Sequence, residues 1–533
     1  MVMHLKSDGY SPKRLLYALC FLMFAVIDQR VKTGSGLNGV NESFRDLTGI
    51  VVEAVILSHY KWEDFRRWKI PHMVWSGLGI AAGVGLILFG SDLFPFLNDR
   101  IVLCADVWLW GHILIRMVTD LLLERRRPLL DKRLAILWAV MMLWMIVSRN
   151  GSLWPSAYLL LFGCLYLTDF SEEERRDLWQ GCVDGIVLSF VLFQGFCCIF
   201  RPYDVVRYIG IQSNSNMNAL YYLVVLGAVF VRIIELTRSG AAKRVRVIWW
   251  LMAGAVLSFL FMTIGRIAWI TAFVMGLAFL GLWNVVAHKK KFIRNGILLI
   301  LCFGLMFPIC FGATRYLPPV FHHPVWLWGE WAEDKVHSWD PWDSDKYVDL
   351  DEFLEAAVGR IAGSVENLLE HSPLHIQARA AALEEEEDPR VAAAILEPEQ
   401  EADTLLVRGI IYRHYFERLN WRGHPYEEQG FQLTRYYWIG HAHNIYLQYG
   451  TDFGIPVMIL FIILIVWSII RCGMRGGRTG SMEDIAAMFF AMIPAVFGLL
   501  EYAWGVGSLS ITMLFIAWGQ ALREKKEDTE WNG

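Results

Sequence analysis

Charge is scarce in this chain. Asp, Glu, Lys and Arg make up 19% of its 533 residues, against about 25% in soluble globular domains. That shortage argues against a soluble protein. The formal net charge is only −4, and no broad basic face is present, so nucleic acid is not an expected partner. Cysteine frameworks are missing too. Of the nine cysteines, Cys20, Cys104, Cys164, Cys182, Cys197, Cys198, Cys302 and Cys310 fall in apolar runs and Cys472 in a short basic loop. None lies in the one long polar segment, so neither a disulfide set nor a CxxC zinc signature exists. They read as small apolar fillers. Disorder is excluded by abundance, because hydrophobic residues reach 55% and aromatic residues 14%.

What the chain does have is apolar runs of membrane-spanning length, roughly 20 residues each. Clear runs cover 74–96, 101–123, 134–147, 153–168, 178–200, 217–236, 247–264, 267–287, 297–312, 455–470, 482–502 and 506–522. Two shorter runs, 15–27 and 47–59, precede them, and Glu53 interrupts the second. The expected fold is therefore an all-α polytopic membrane protein with about 12–14 transmembrane helices. After the first run, Asp28, Gln29 and Arg30 form no small-residue cleavage site, so no cleavable signal peptide is expected.

Lys and Arg in short loops set the orientation. The basic loops are 62–69 (WEDFRRWK), 124–133 (ERRRPLLDKR), 237–246 (TRSGAAKRVR), 288–294 (HKKKFIR), 471–478 and the tail after Arg523. All fall on one side when the runs between them are counted. Both termini are then cytoplasmic, and a long polar segment lies outside. The chain divides into an N-terminal transmembrane region, 1–312, a long external loop domain, 313–441, and a C-terminal transmembrane region with its tail, 442–533. The loop domain is expected to be mostly helical, from patterning over 350–369, 376–384 and 405–419. Its acid run at 384–388 (EEEED) reads as a solvated face. Nine of the fourteen histidines, His322, His323, His337, His371, His375, His414, His424, His441 and His443, lie in it or at its exit.

Several residue sets could carry chemistry. Arg266, in the tight turn Thr263-Ile264-Gly265-Arg266, stands at the outer border of two apolar runs. A guanidinium there either serves a function or snorkels to the interface. The segment 440–456, GHAHNIYLQYGTDFGIP, places His441 and His443 where the polar segment re-enters the membrane. A histidine there can act as a general base, since its pKa lies near working pH, or anchor a polar helix start. A zinc site on the HxH pair has no third ligand close by in sequence; Asp452 or His424 could join only through folding. The outer arginines, Arg201, Arg207, Arg360, Arg408, Arg413, Arg418, Arg422 and Arg435, offer forks that suit a diphosphate. Residues 213–218 (SNSNMN) can cap a helix or bind a sugar. Trp326, Trp328, Trp331, Trp339 and Trp342 suit the membrane interface, with carbohydrate stacking as the alternative.

Three stretches together carry a resemblance: HAHNIYLQ followed by GIP, an arginine after glycine at Arg266, and 408–428 (RGIIYRHYFERLNWRGHPYEE) ahead of the histidines. With one long outer loop late in a multi-spanning chain, the sequence resembles the O-antigen ligase and O-antigen polymerase superfamily. The resemblance runs in layout from about residue 211 to 522. It implies a C-type membrane glycosyltransferase of the bacterial inner membrane. Such an enzyme moves a glycan from an undecaprenyl-diphosphate carrier to an acceptor glycolipid or glycan, among membrane lipids, with no metal or other cofactor. By the same resemblance His443 is the general base, and Arg266 and Arg408 hold the diphosphate. Arg360, in 359–373 (GRIAGSVENLLEHSP), competes with Arg408. Arg360, His441, Asn444, Asn216 and Arg201 are the candidate substrate-binding residues. A ligase would use lipid A-core as acceptor; a polymerase would use another carrier-linked unit. A transporter is the alternative of a different class, with Asp106, Arg116, Asp120 and Asp184 inside apolar runs either marking an ion path or pairing within the bundle.

Overall fold

A computed structural model describes residues 11–28, 40–89, 99–125, 128–152, 154–199, 203–204, 206–210, 215–287, 290–320, 350–351, 353–360, 405–425, 428, 430–434, 437–502 and 508–524. Where they are described, the expected apolar runs lie mainly on helices. The long elements are α1 (Pro12–Asp28), α2 (Val40–Leu57), α3 (Trp62–Arg67), α4 (Lys69–Phe89), α5 (Asp99–Val118), α6 (Lys132–Val147), α7 (Trp154–Leu167) and α8 (Glu172–Ile199). A two-residue hairpin follows, β1 (Tyr203–Asp204) against β2 (Arg207–Tyr208), and then α9 (Ser215–Arg238), α10 (Lys243–Met262), α11 (Arg266–Val286) and α12 (Phe292–Val320). The late part of the chain contributes α13 (Leu405–Glu417), a hairpin of β3 (Phe431–Thr434) and β4 (Tyr437–Ile439), α14 (Ile445–Phe453), α15 (Ile455–Thr479), α16 (Met482–Phe497) and α17 (Leu509–Leu522).

Helices are the only open-chain solution here, because the bilayer offers no partner for backbone N–H and C=O groups. Seven of the described helices are long and apolar enough to cross a membrane: α5 with its π turn, α8, α9, α10, α11, α12 and α15. The protein is an all-α, multi-pass membrane protein. α9 is the mast of the bundle. It packs against α8, α10, α11, α16 and α17, and 94% of its apolar stretch is buried inside the protein. Phe230 on α9 stacks on Phe279 of α11 at 4.2 Å between ring centroids.

The basic loops gather at one end. Arg67 pairs with Glu124, Lys13 with Glu174, and Arg471 with Asp131. Arg238 donates to Gly480 O, and Arg523 donates to Thr168 O. Caps sharpen the helix starts there. Asp131 accepts from the backbone N–H groups of Arg133 and Leu134, and Ser481 accepts from that of Asp484.

The structure corrects several expectations. The run 482–502 is helical only to Phe497, and Glu501 and Tyr502 lie in the turn beyond. The 471–478 stretch is not a loop, because α15 continues to Thr479; Cys472 is fully buried within it. The segment before the histidines, expected to be mostly helical, carries the β3–β4 hairpin in its last described part. Of the charges inside apolar runs, Arg116 pairs with Asp120 at 2.6 Å, and Asp184 pairs with Arg14 and Arg232. Arg116, Asp120 and Asp184 thus pair within the bundle. Residues 350–351 and 353–360 are helical, as patterned. Arg201, Arg435, Ser213, Asn214, the tryptophans 326–342, the helical pattern over 376–384 and the acid run lie outside the described residues.

Candidate active site

The site is built at the end of the bundle opposite the basic loops. α13 approaches it, and the chain then runs through a tightly docked connection. Arg149 N–H donates to Arg422 O at 2.7 Å, His424 N–H to Thr451 O at 2.9 Å, and Ile455 N–H to Asn420 O at 2.9 Å. Gly423, at φ 72°, passes so close that a Cβ would stand 2.1 Å from Asp452 O. Only glycine allows that approach. Gly454, at φ 102°, then turns the chain from α14 into α15, with a proline in the first turn of α15. This is the break that the GIP triplet implies.

Asn444 caps α14, accepting from the N–H groups of Tyr446 and Leu447 at 2.9 and 3.0 Å. Its amide donates to Leu499 O at 2.8 Å. Capping fixes the residue just before it. His443 is held at φ 47°, a left-handed conformation uncommon outside glycine. Tyr412 Oη on α13 donates to His443 O at 3.1 Å. Gln448 Oε1 accepts from Ala442 N–H at 2.7 Å, and its amide donates to Asp452 Oδ1 at 2.8 Å. The histidine loop is thus tied down on both sides.

Glu501 is the centre of the cluster. Its carboxylate is 5% exposed, so a bare charge there would be costly. Four donors meet it. His443 Nδ1 lies 2.8 Å from Oε1, and Tyr502 N–H lies 3.3 Å from the same oxygen. Arg408 Nη2 and Asn216 Nδ2 reach Oε2 at 3.2 and 2.9 Å. Burial alone would lift this carboxyl. The hydrogen bond from His443, with the charge of Arg408, outweighs it and holds Glu501 below the usual range. An ionised carboxylate only accepts, so His443 Nδ1 carries the hydrogen and Nε2 presents its lone pair. Among the described residues Nε2 makes no hydrogen bond.

His441 sits beside this dyad, with ring centroids 4.2 Å from His443 and 5.2 Å from Tyr502. Burial, then the neighbouring His443, lowers it to about 4 against the pull of Glu501. It is therefore neutral at physiological pH. His441, His443 and Glu501 each offer one metal-capable atom, and these lie within 4.8 Å of one another. Folding supplies the third ligand that sequence proximity does not, and it is Glu501 rather than Asp452 or His424.

Arg266 opens α11 immediately after Gly265. The residue before, Ile264, has φ 51°, an outlier for a β-branched side chain. Arg207, on β2, links this turn to the dyad. Its Nε donates to Thr263 O at 3.1 Å and its Nη2 to Asn216 Oδ1 at 2.9 Å. Arg360 is the last described residue of the helical stretch whose Phe353 packs on Phe261, in the last turn of α10 before Arg266, at 5.6 Å.

Of the residues read from sequence, the fold gathers His443, His441, Arg408, Asn216 and Asn444 in one cluster. The turn that precedes Arg266 is tied to this cluster through Arg207, which bonds Thr263 O and Asn216. Glu501 was missed. The available signal was a carboxylate at the end of an apolar run, which is a functional candidate by default. Comparison with known protein families, with curated proteins and with solved structures finds no match for this chain.

Proposed function

We propose that the protein is a lipid-linked glycan transferase of the O-antigen ligase type. It moves a glycan from an undecaprenyl-diphosphate donor to the hydroxyl of an acceptor sugar. The observation that carries this reading is the His443–Glu501 dyad, 2.8 Å between Nδ1 and Oε1, with Arg408 at 3.2 Å on the other carboxylate oxygen.

The chemistry needs few groups. His443 Nε2 takes the proton of the acceptor hydroxyl as its oxygen attacks the anomeric carbon. The bond from that carbon to the diphosphate oxygen breaks, and the carrier diphosphate leaves with the electron pair. A single displacement inverts the anomeric centre. Glu501 fixes the histidine tautomer and offsets the imidazolium charge, a role worth about 10²–10⁴-fold together with the base itself. Arg408 and Arg266 are the diphosphate ligands, since a guanidinium fork matches paired phosphate oxygens. Stabilising the leaving charge is the larger electrostatic task. Arg360, Asn216 and Arg201 remain candidates for further donor or acceptor contacts. In this reading the end with the dyad faces the cell exterior and the basic loops face the cytoplasm of a bacterial inner membrane.

The test is a transfer assay with purified full-length protein, an undecaprenyl-diphosphate-linked glycan and EDTA, with and without lipid A-core. Product that requires lipid A-core identifies a ligase. Lengthening of the carrier-linked glycan without it identifies a polymerase of the same type. No transfer over a panel of verified donors rejects the reading and favours transport.

A further inference from the structure

We infer that His441, His443 and Glu501 form a binding site for a divalent transition-metal cation of the zinc type, and that the bound cation inhibits transfer. The binding half stands on the donor set alone. The inhibitory half rests on the proposed role of His443.

Two imidazoles and one carboxylate, with donor atoms inside 4.8 Å, make a three-ligand set with an open fourth position. Nitrogen-rich donors of this kind select zinc, cobalt, nickel or copper over magnesium and calcium. Zinc–ligand bonds of about 2.0–2.2 Å require the donors to close in, by small rotations of the side chains. The surroundings already orient the carboxylate. Asn216 Nδ2 at 2.9 Å and Arg408 at 3.2 Å occupy Oε2, which leaves Oε1 facing His443. Tyr412 and the Asn444 cap fix the backbone on which His443 sits. The Asn216 contact and the fixed backbone are what holds metal ligands in place.

Occupancy and catalysis exclude each other for a simple reason. A neutral imidazole has one lone pair. With a metal on either nitrogen of His443, the other nitrogen carries the hydrogen, and no acceptor for the substrate proton remains. The arrangement also sets the sign of a neighbouring substitution. Arg408 places a positive charge beside Glu501, so it opposes a dication at the site.

Cobalt(II) is the probe, because its visible spectrum reports ligand field and stoichiometry without any activity. Purified full-length protein stripped with EDTA is titrated with Co²⁺ and then with Zn²⁺ as competitor. One tetrahedral-type Co²⁺ per chain, displaced by Zn²⁺, is the expected result. His441→Ala and His443→Ala should each weaken binding by about tenfold or more, and Arg408→Ala should tighten it. Thermal unfolding in EDTA separates any variant that fails to fold. No stoichiometric binding, unchanged binding in the double histidine variant, or weaker binding in folded Arg408→Ala would overturn the site. In the transfer assay Zn²⁺ should inhibit and EDTA should restore activity; binding without inhibition overturns the competition. If the EDTA-treated protein shows no transfer at all, the proposed function fails while the cobalt data still decide the metal site.

Discussion

The two ends of the bundle both concentrate charge, and they use it differently. At the basic-loop end, charges are paired with one another. Arg475 reaches Asp484 Oδ1 and Gln520 O at 2.9 and 2.7 Å, and Gln520 donates to the same Asp484 oxygen at 2.9 Å. Asp484 is fully buried. Arg232 spans Asp184 and Glu235. These contacts tie α15 to α16 and α17, and α9 to α8. At the other end, Glu501 is also buried, but its partner His443 keeps one nitrogen without a hydrogen bond among the described residues. A network of ion pairs between helices staples. A network with one lone pair left over can take a proton.

Substitution at each end should therefore separate chemistry from stability. The largest effect belongs to His443→Ala, which should lower transfer by about 10²–10⁴-fold while leaving the thermal unfolding midpoint close to wild type. Transfer rates and an unfolding curve on the same preparation check both halves. Glu501→Gln should lower kcat with little change in KM, since the amide keeps the shape and loses the charge; steady-state kinetics at saturating acceptor read the split. At the opposite end, Asp484→Ala should cost about 3–5 kcal/mol of stability, because Arg475 stays buried without its counter-charge. The folded fraction should still turn over at the wild-type rate. If Asp484→Ala instead lowered the rate of folded protein, the contrast between the ends would collapse.

A smaller effect sharpens the comparison at Arg266. Arg266→Ala should lose more transfer than Arg266→Lys, because lysine keeps the charge but not the paired contacts. Equal activity of both with wild type would remove Arg266 from the site. The smallest effect concerns pH. Burial raises Asp452 from 3.8 to about 7, against the lowering hydrogen bond from Gln448. A folded-state pKa above the unfolded one means that its stabilising contribution is present at low pH and is lost as pH rises through about 7. Unfolding midpoints should fall across that range in the wild type and stay flatter in Asp452→Asn.

Much of this architecture can be read from the chain, because a lipid-spanning helix writes itself as one uninterrupted apolar run. The break at Gly454 and Pro456 and the helix at 405–417 follow from local chemistry as well. Glu501 did not emerge for a physical reason. It ends an apolar run that continues past Phe497 in composition, while the helix itself stops there. Its significance lies in partners 58, 93 and 285 residues away. The same holds for Arg207, one of several arginines in sequence and a bridge only in space. The left-handed backbone at His443 and Ile264 is invisible too, since neither residue type signals it.

α9 carries Asn216 at its first turn and Arg232, Glu235 and Arg238 near its last. Its flanks are covered almost throughout, so it has no lipid surface along which to slide or roll. It behaves as a rigid shaft with a fixed length and a fixed phase. The angular position of Asn216 around the shaft is set by the ion pairs at the far end. Where the amide of Asn216 stands relative to Glu501 is then tied to ion pairs at the far end of the same helix.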